Sequence, residues 1–258
     1  MKCYVLLACI VSFTSLAAQP SVTPIPAKVY VLQPIQNIAP GKAGETNLVF
    51  DGSSEVLSSQ MMKHTALKAK EKYSFPKTQF REIFIIVKKG PIQFNLNNQV
   101  KTLDRGSVAL LLPGDELTIF NTGTENTEFY EMSYTSKQPA DMDRAKAAGP
   151  SFLMDWKDMV FKPHDKGGVR QLFDRKTAMF NRFDIHVTQL NEGNKSHDPH
   201  QHKNEEIILM LEGNAEMQIG TEHQKANPGD VVFLSSNILH NLTNIGKGAC
   251  LYFAIQWN

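Results

Sequence analysis

Residues 193–213 read GNKSHDPHQHKNEEIILMLEG, and how this stretch is built decides the reading of the whole chain. His197, His200 and His202 lie within six positions and are followed at once by Glu205 and Glu206. A strand sends alternate side chains to one face, so an extended backbone would project His200, His202 and Glu206 the same way. A helix would splay His200 and His202 apart. The short apolar run that follows, closed by Gly213, also reads as a strand.

Working outward, a fourth histidine stands in PGDVVFLSSNILHNL (228–242), where a Pro-Gly-Asp turn and an apolar run precede His240. From a neighbouring strand, His240 would reach the same cavity. Three neutral imidazoles and one carboxylate suit a transition metal such as Fe, Mn, Co, Ni, Cu or Zn, whereas an all-oxygen set would point to Ca or Mg. Four protein donors close a tetrahedral zinc, but around a six-coordinate ion they leave two positions for water, dioxygen or substrate. A one-residue bulge would exchange the places of Glu205 and Glu206. Glu205 and His197 are accordingly held as candidate catalytic groups beside the donors, whereas the face of His186 in FDIHVTQL stays open.

The rest of the chain is cut by Gly and Pro into short runs rich in β-formers, such as REIFIIVKKG, TEFYEMSY and CLYFAIQW. That pattern predicts an all-β protein of sandwiches or barrels. Residues 82–121 and 206–244 share one order of apolar strand, turn glycine, alternating strand, strand-opening glycine and apolar run, as two copies of one domain would. The polar, Ala- and Pro-containing stretch between them reads as a linker. The expected organisation is an N-terminal domain at 40–135, a linker at 136–167 and a C-terminal domain at 168–258.

Residues 1–18, MKCYVLLACIVSFTSLAA, have the charged start, apolar run and small closing residues of a secretory signal peptide, too short for a membrane span. Export to the periplasm or the exterior is expected. The rest of the chain is long enough to bury roughly 70% of its unfolded surface. Cleavage would leave Cys250 as the lone cysteine and no internal disulfide. A net charge of +1 with mixed signs along the chain argues against a nucleic acid or an anionic membrane as partner.

Residues 193–213, with their glycine, H-x-H-x3-E and second glycine, resemble the first cupin motif. GDVVFLSSNILHNLTN (229–244), which begins at glycine and ends in H-x3-N, resembles the second. The spacer from Gly193 to His200 is one residue longer than in the motif, and Ser235 or Ser236 stands where proline is usual; neither difference removes a donor. The resemblance implies two tandem cupin barrels of the double-stranded β-helix, jelly-roll or RmlC-like type. It also implies a divalent transition metal (Fe, Mn, Zn, Ni or Cu) on His200, His202, Glu206 and His240, with Asn244 closing the motif. Aligned with these, the first half offers Lys77, Gln79, Ile83 and Leu117, so its barrel is expected to lack a metal.

The preferred reading is an exported metal-dependent enzyme, an oxidoreductase such as a dioxygenase, an isomerase or a lyase. It would act on a small carbonyl, hydroxy-acid or sugar-like substrate, with pairing into a homodimer through the sheets. The alternatives are a non-catalytic cupin that holds a small ligand through its metal, and an aminohydrolase. The degenerate first barrel resembles the plan of ureidoglycine aminohydrolase, whose donor set has a glutamine in place of one histidine.

Overall fold

The computed structural model describes residues 23–35 and 44–258, so the segment read as a signal peptide lies outside the described residues. The fold is two β barrels, each made of a large sheet facing a small one. In the first, a six-stranded sheet runs in the order Phe152–Met154, Val108–Leu111, Glu82–Lys89, Thr127–Ser136, Leu57–Leu67, Gly44–Gly52. It faces a four-stranded sheet of Lys72–Phe75, Leu117–Phe120, Ile92–Leu96 and Gln99–Leu103. In the second, a seven-stranded sheet is ordered Lys28–Tyr30, Val231–Leu234, Glu205–Glu212, Cys250–Trp257, Phe183–Leu190, Gly167–Arg175, Phe161–His164. Its smaller partner comprises Glu222–Ala226, Ala215–Ile219 and His240–Asn244.

The continuous apolar runs in the sequence follow from burial on both faces of the large sheets. In Glu82–Lys89, Ile83, Ile85 and Val87 point into the first barrel, and Phe84 and Ile86 point out of it. In Glu205–Glu212, Ile208 and Met210 fill the second barrel while Ile207 and Leu209 point outward. The outward sets meet. Phe84, Tyr134, Phe183, Phe233, Phe253 and Trp257 form one core between the large sheets, with Tyr134 stacked on Phe180 at 4.6 Å between ring centroids. Each such buried aromatic contributes about 2–3 kcal/mol of apolar transfer, so the two halves are held as one body.

The stretch expected as a linker, 136–167, is woven into both barrels rather than hanging between them. It carries a helix at Met142–Ala148, which the Asp141 side chain caps by accepting from the Arg144 N–H at 2.8 Å. Phe152–Met154 then joins the first barrel's large sheet, and Phe161–His164 joins the second's. Lys28–Tyr30, ahead of the first barrel, crosses to pair with Val231–Phe233 of the second. Each large sheet thus gains an edge strand from outside the expected domain bounds, which covers an otherwise open edge.

Gly213 ends Glu205–Glu212 with φ +71, and a Cβ there would lie 2.7 Å from the Cα of Cys250. Only glycine fits that close approach between strands. Cys250 itself is buried, and burial pushes its thiol up to about 11, which keeps it protonated and inert. No helix among the described residues is long and apolar enough to cross a membrane.

Candidate metal centre

His200, His202, Glu206 and His240 converge at one end of the second barrel. Glu206 faces the interior from the large sheet, and His240 opens the facing strand of the small sheet. His200 and His202 precede the first of these strands without belonging to it. The extended H-x-H expected from the sequence reduces to a single antiparallel bridge between His200 and His240, whose N–H groups donate to each other's carbonyls at 3.2 and 2.9 Å. The rings of His200, His202 and His240 lie 4.7–5.2 Å apart by centroid.

The backbone sets the tautomers. His202 Nδ1 donates to the carbonyl of Asn204 and His240 Nδ1 to that of Ile238, each at 2.9 Å. A carbonyl can only accept, so the proton sits on Nδ1 and the lone pair on Nε2. Both Nε2 atoms lie 3.4 Å from Glu206 Oε2. Both are buried and lack a hydrogen-bond partner among the described residues, as does His200 Nδ1. Buried polar atoms are rarely left so, and two Nε2 atoms beside one carboxylate, with a third unpartnered nitrogen on His200, fit a metal ion as the missing partner. The donor atoms of His202, Glu206 and His240 lie within 4.8 Å of one another, and so do those of His197, His200 and His240.

Burial works to raise the Glu206 carboxyl, but the imidazoles of His202 and His240 outweigh it and bring the group down to about 2. Loss of solvent, then the neighbouring imidazoles, lowers His200, and loss of solvent chiefly lowers His197, so both favour the neutral, donor form. His202 is raised, first by its contact with Glu206.

Of these side chains His200, Glu206 and His240, together with His197, line a cavity of about 270 Å³ in the second barrel. Thr188, Ser196, Tyr252, Asn241 and Gln256 offer hydroxyls and amides there, while Ile208, Met217, Leu234 and Leu242 supply apolar wall. His186, whose face the sequence left open, points inward, because Phe183, Ile185 and Val187 on the same strand occupy the inter-barrel core. His164, which looks like an ordinary polar-loop residue in the sequence, also lines the cavity, brought there by the edge strand Phe161–His164. No local signal marks His164, since its position depends on a strand pairing within the expected linker.

Glu205 is a correction. One residue from Glu206, it faces the opposite way and leaves the cavity for the first barrel. Its carboxylate accepts from Ser54 Oγ at 2.6 Å, the Glu55 N–H at 2.7 Å and Trp257 Nε1 at 3.0 Å. No bulge exchanges the two glutamates: Glu205 and Glu206 pair in unbroken register with Trp257 and Gln256. Glu205 therefore anchors the barrels to each other and has no access to a ligand in the cavity.

Asn244 is likewise structural. Its Nδ2 donates to the carbonyls of Leu190 and Gly248, and its Oδ1 accepts from the Gly246 N–H. In the first barrel Asn121 makes the same set, to Leu67, Glu125 and Gly123. His64, another histidine of polar sequence context, proves buried in the first barrel, where it meets Glu128 at 2.8 Å.

The cupin domain family model matches residues 186–256, which span every donor strand of the second barrel but not the stretch between Ile83 and Leu117 in the first. The second barrel is therefore a cupin domain. Solved cupin-like structures superpose over both barrels. AerE from Microcystis aeruginosa matches at 15% identity and TM-score 0.63, over 86% of this chain and 95% of that one. Protein Ylba from E. coli matches at 14% and 0.66, over 92% and 94%. The oxalate decarboxylase of Lactobacillus farciminis, in its formate complex, matches at 13% and 0.63, over 90% and 84%. At such identity the likeness is one of fold. No curated protein sequence matches the chain.

Proposed function

We propose that this bicupin is an exported, metal-dependent enzyme acting in the second barrel on a small, oxygen-rich substrate that carries at most one negative charge. The observation that carries the reading is the pair of buried, unpartnered Nε2 atoms of His202 and His240 beside Glu206, with His200, Glu206 and His240 at the wall of the cavity. A bound divalent metal would supply Lewis acidity toward a carbonyl or hydroxyl oxygen, and iron or copper would add a means of activating dioxygen.

The chain's own residues set the selectivity. Among the described lining residues Glu206 is the only carboxylate, and no Lys or Arg faces the cavity. A dianionic ligand would therefore find no cationic side chain to balance it there. Hydroxyls of Thr188, Ser196 and Tyr252 and amides of Asn241 and Gln256 match sugar-like hydroxyls or a hydroxycarbonyl. His186 and His164, which the donor set does not use, are placed to hold or move a proton at a substrate oxygen.

The test begins with elemental analysis of protein purified without added metal. Wild-type, His200→Ala and Glu206→Ala proteins are then compared for metal content and for turnover of aldoses, hydroxyketones and hydroxy acids. Wild type that carries no transition metal and cannot be loaded with one would overturn the reading. Metal-dependent ligand binding with no turnover across that panel would make the protein a binding cupin instead.

A further inference from the structure

We propose that His197 is a fifth protein donor to the metal of the second barrel, occupying one of the two positions that His200, His202, Glu206 and His240 leave open on a six-coordinate ion. The proposal rests on the metal reading of that barrel.

Three observations converge on His197. The first is its place in the cluster: its donor atoms lie within 4.8 Å of those of His200 and His240, and His240 is shared with the set that contains His202 and Glu206. Metal–nitrogen bonds of about 2.1 Å separate opposite donors by roughly 4.2 Å, so each of the two triads, which share His240, lies close to the span one ion allows. The second is the tautomer. His197 Nδ1 donates to the carbonyl of Asp198 at 3.0 Å, which leaves the lone pair on Nε2, the arrangement also found at His202 and His240.

The third is the chain path. In the first barrel Lys72–Phe75 pairs without interruption, Lys72 opposite Phe120 and Phe75 opposite Leu117. The second barrel starts in the same way, with Lys195 opposite Thr243, but His200 then stands opposite His240, so two more residues are spent over the same stretch of partner strand. The surplus falls at 197–199, after Ser196 has donated to the Leu242 carbonyl, and it leaves His197 lining the cavity. It brings the His197 ring edge-on to His200 at 3.9 Å between centroids and to 5.9 Å from His240. An uninterrupted strand would leave no such surplus.

A fifth donor leaves one exchangeable position. A single-atom donor such as azide would then bind without disturbing the protein ligands, whereas a chelator such as acetohydroxamate would have to displace His197.

The experiment loads the full protein with Co(II) and counts the exchangeable imidazole N–H resonances shifted by the paramagnetic ion, one per bound histidine. The wild type should show four and His197→Gln three, with Co(II) affinity weakened roughly tenfold. Acetohydroxamate should remove one resonance from the wild type and none from the variant, and azide none from either. Three resonances in wild-type protein would by themselves overturn the proposal while leaving the metal reading intact, whatever the variant does. Four resonances persisting in His197→Gln would overturn it as well. No shifted resonance at all would remove both readings.

Discussion

The two barrels share a strand plan, a core parity and an asparagine clasp, yet among the described residues only the second gathers candidate metal donors. The glutamates make the contrast sharpest. Glu82 and Glu205 each open the central strand of a large sheet, pair with Tyr134 and Trp257 respectively, and reach into the opposite barrel. Glu82 accepts from the Ala178 and Met179 N–H groups at 2.7 and 3.2 Å, as Glu205 accepts from Ser54, Glu55 and Trp257. The residue after each faces its own barrel's interior: Ile83 in one, Glu206 in the other. Both barrels carry the anchor that joins them, while the candidate donors occupy the alternate positions of one barrel only among the described residues.

The comparison also shows that the difference between the barrels goes deeper than four residue types. In register, Phe75 stands where His200 stands, not the Lys77 that a gap-free alignment places there. Leu117 and Ile83 do occupy the positions of His240 and Glu206. Grafting His and Glu at Leu117 and Ile83 would therefore build half a site.

The largest expected effect comes from the donors. Glu206→Ala or His240→Ala should weaken metal binding by about a hundredfold or more, measured by competition with a chromogenic chelator. The double substitution Ile83→Glu, Leu117→His in the first barrel should add no bound metal, and a second equivalent of tightly held metal would break the register argument.

Next come the anchors. Glu205→Ala takes the acceptor from three donors, the Trp257 Nε1 among them fully buried, and should cost about 3 kcal/mol by denaturant unfolding, while metal content stays that of the wild type once folded. If the variant lost metal at unchanged stability, Glu205 would belong with the site after all. Glu82 should respond to pH in the opposite sense to an ordinary salt-bridged acid. Burial raises its carboxyl above the usual value despite the hydrogen bonds it accepts, so the folded state keeps a proton that the unfolded chain gives up first. Stability should consequently fall as pH rises from 4.5, and Glu82→Gln should flatten that part of the profile.

Glu128 supplies the reverse slope. Its contact with His64 leads in lowering it, and despite burial it comes down to about 2, with the Lys88 ammonium also in contact. Its contribution is present above 4.5 and lost as pH falls from 4.5 toward 2, up to about 3 kcal/mol, with Glu128→Gln removing the dependence in urea titrations. The smallest effect should be the clasp. Asn121→Ala and Asn244→Ala should each cost about 1–2 kcal/mol, and only Asn244→Ala, on the strand of His240, should also weaken metal binding.

Much of this was legible in the chain. Donor types and the parity of Glu206 and Ile208 are local properties, and so is the apolar periodicity that predicts sheets buried on both faces. The repeat showed in turn glycines and strand order. What escaped was whatever depends on which strands become neighbours. Nothing near Glu205 states that Ser54, Glu55 and Trp257 will surround it, nor near His164 that an edge strand will carry it to the cavity.

The sequence by itself determined the candidate donors, the strand pattern and the asymmetry between the halves, because these follow from side-chain chemistry and a backbone period of two. The tertiary structure decided which of two adjacent glutamates meets the cavity and which joins the barrels. It also decided that His186 and His164 share the cavity, and that two surplus residues fold His197 toward the donors. Those outcomes are set by register and long-range pairing, and a one-residue shift in either would send the same side chains to the opposite face.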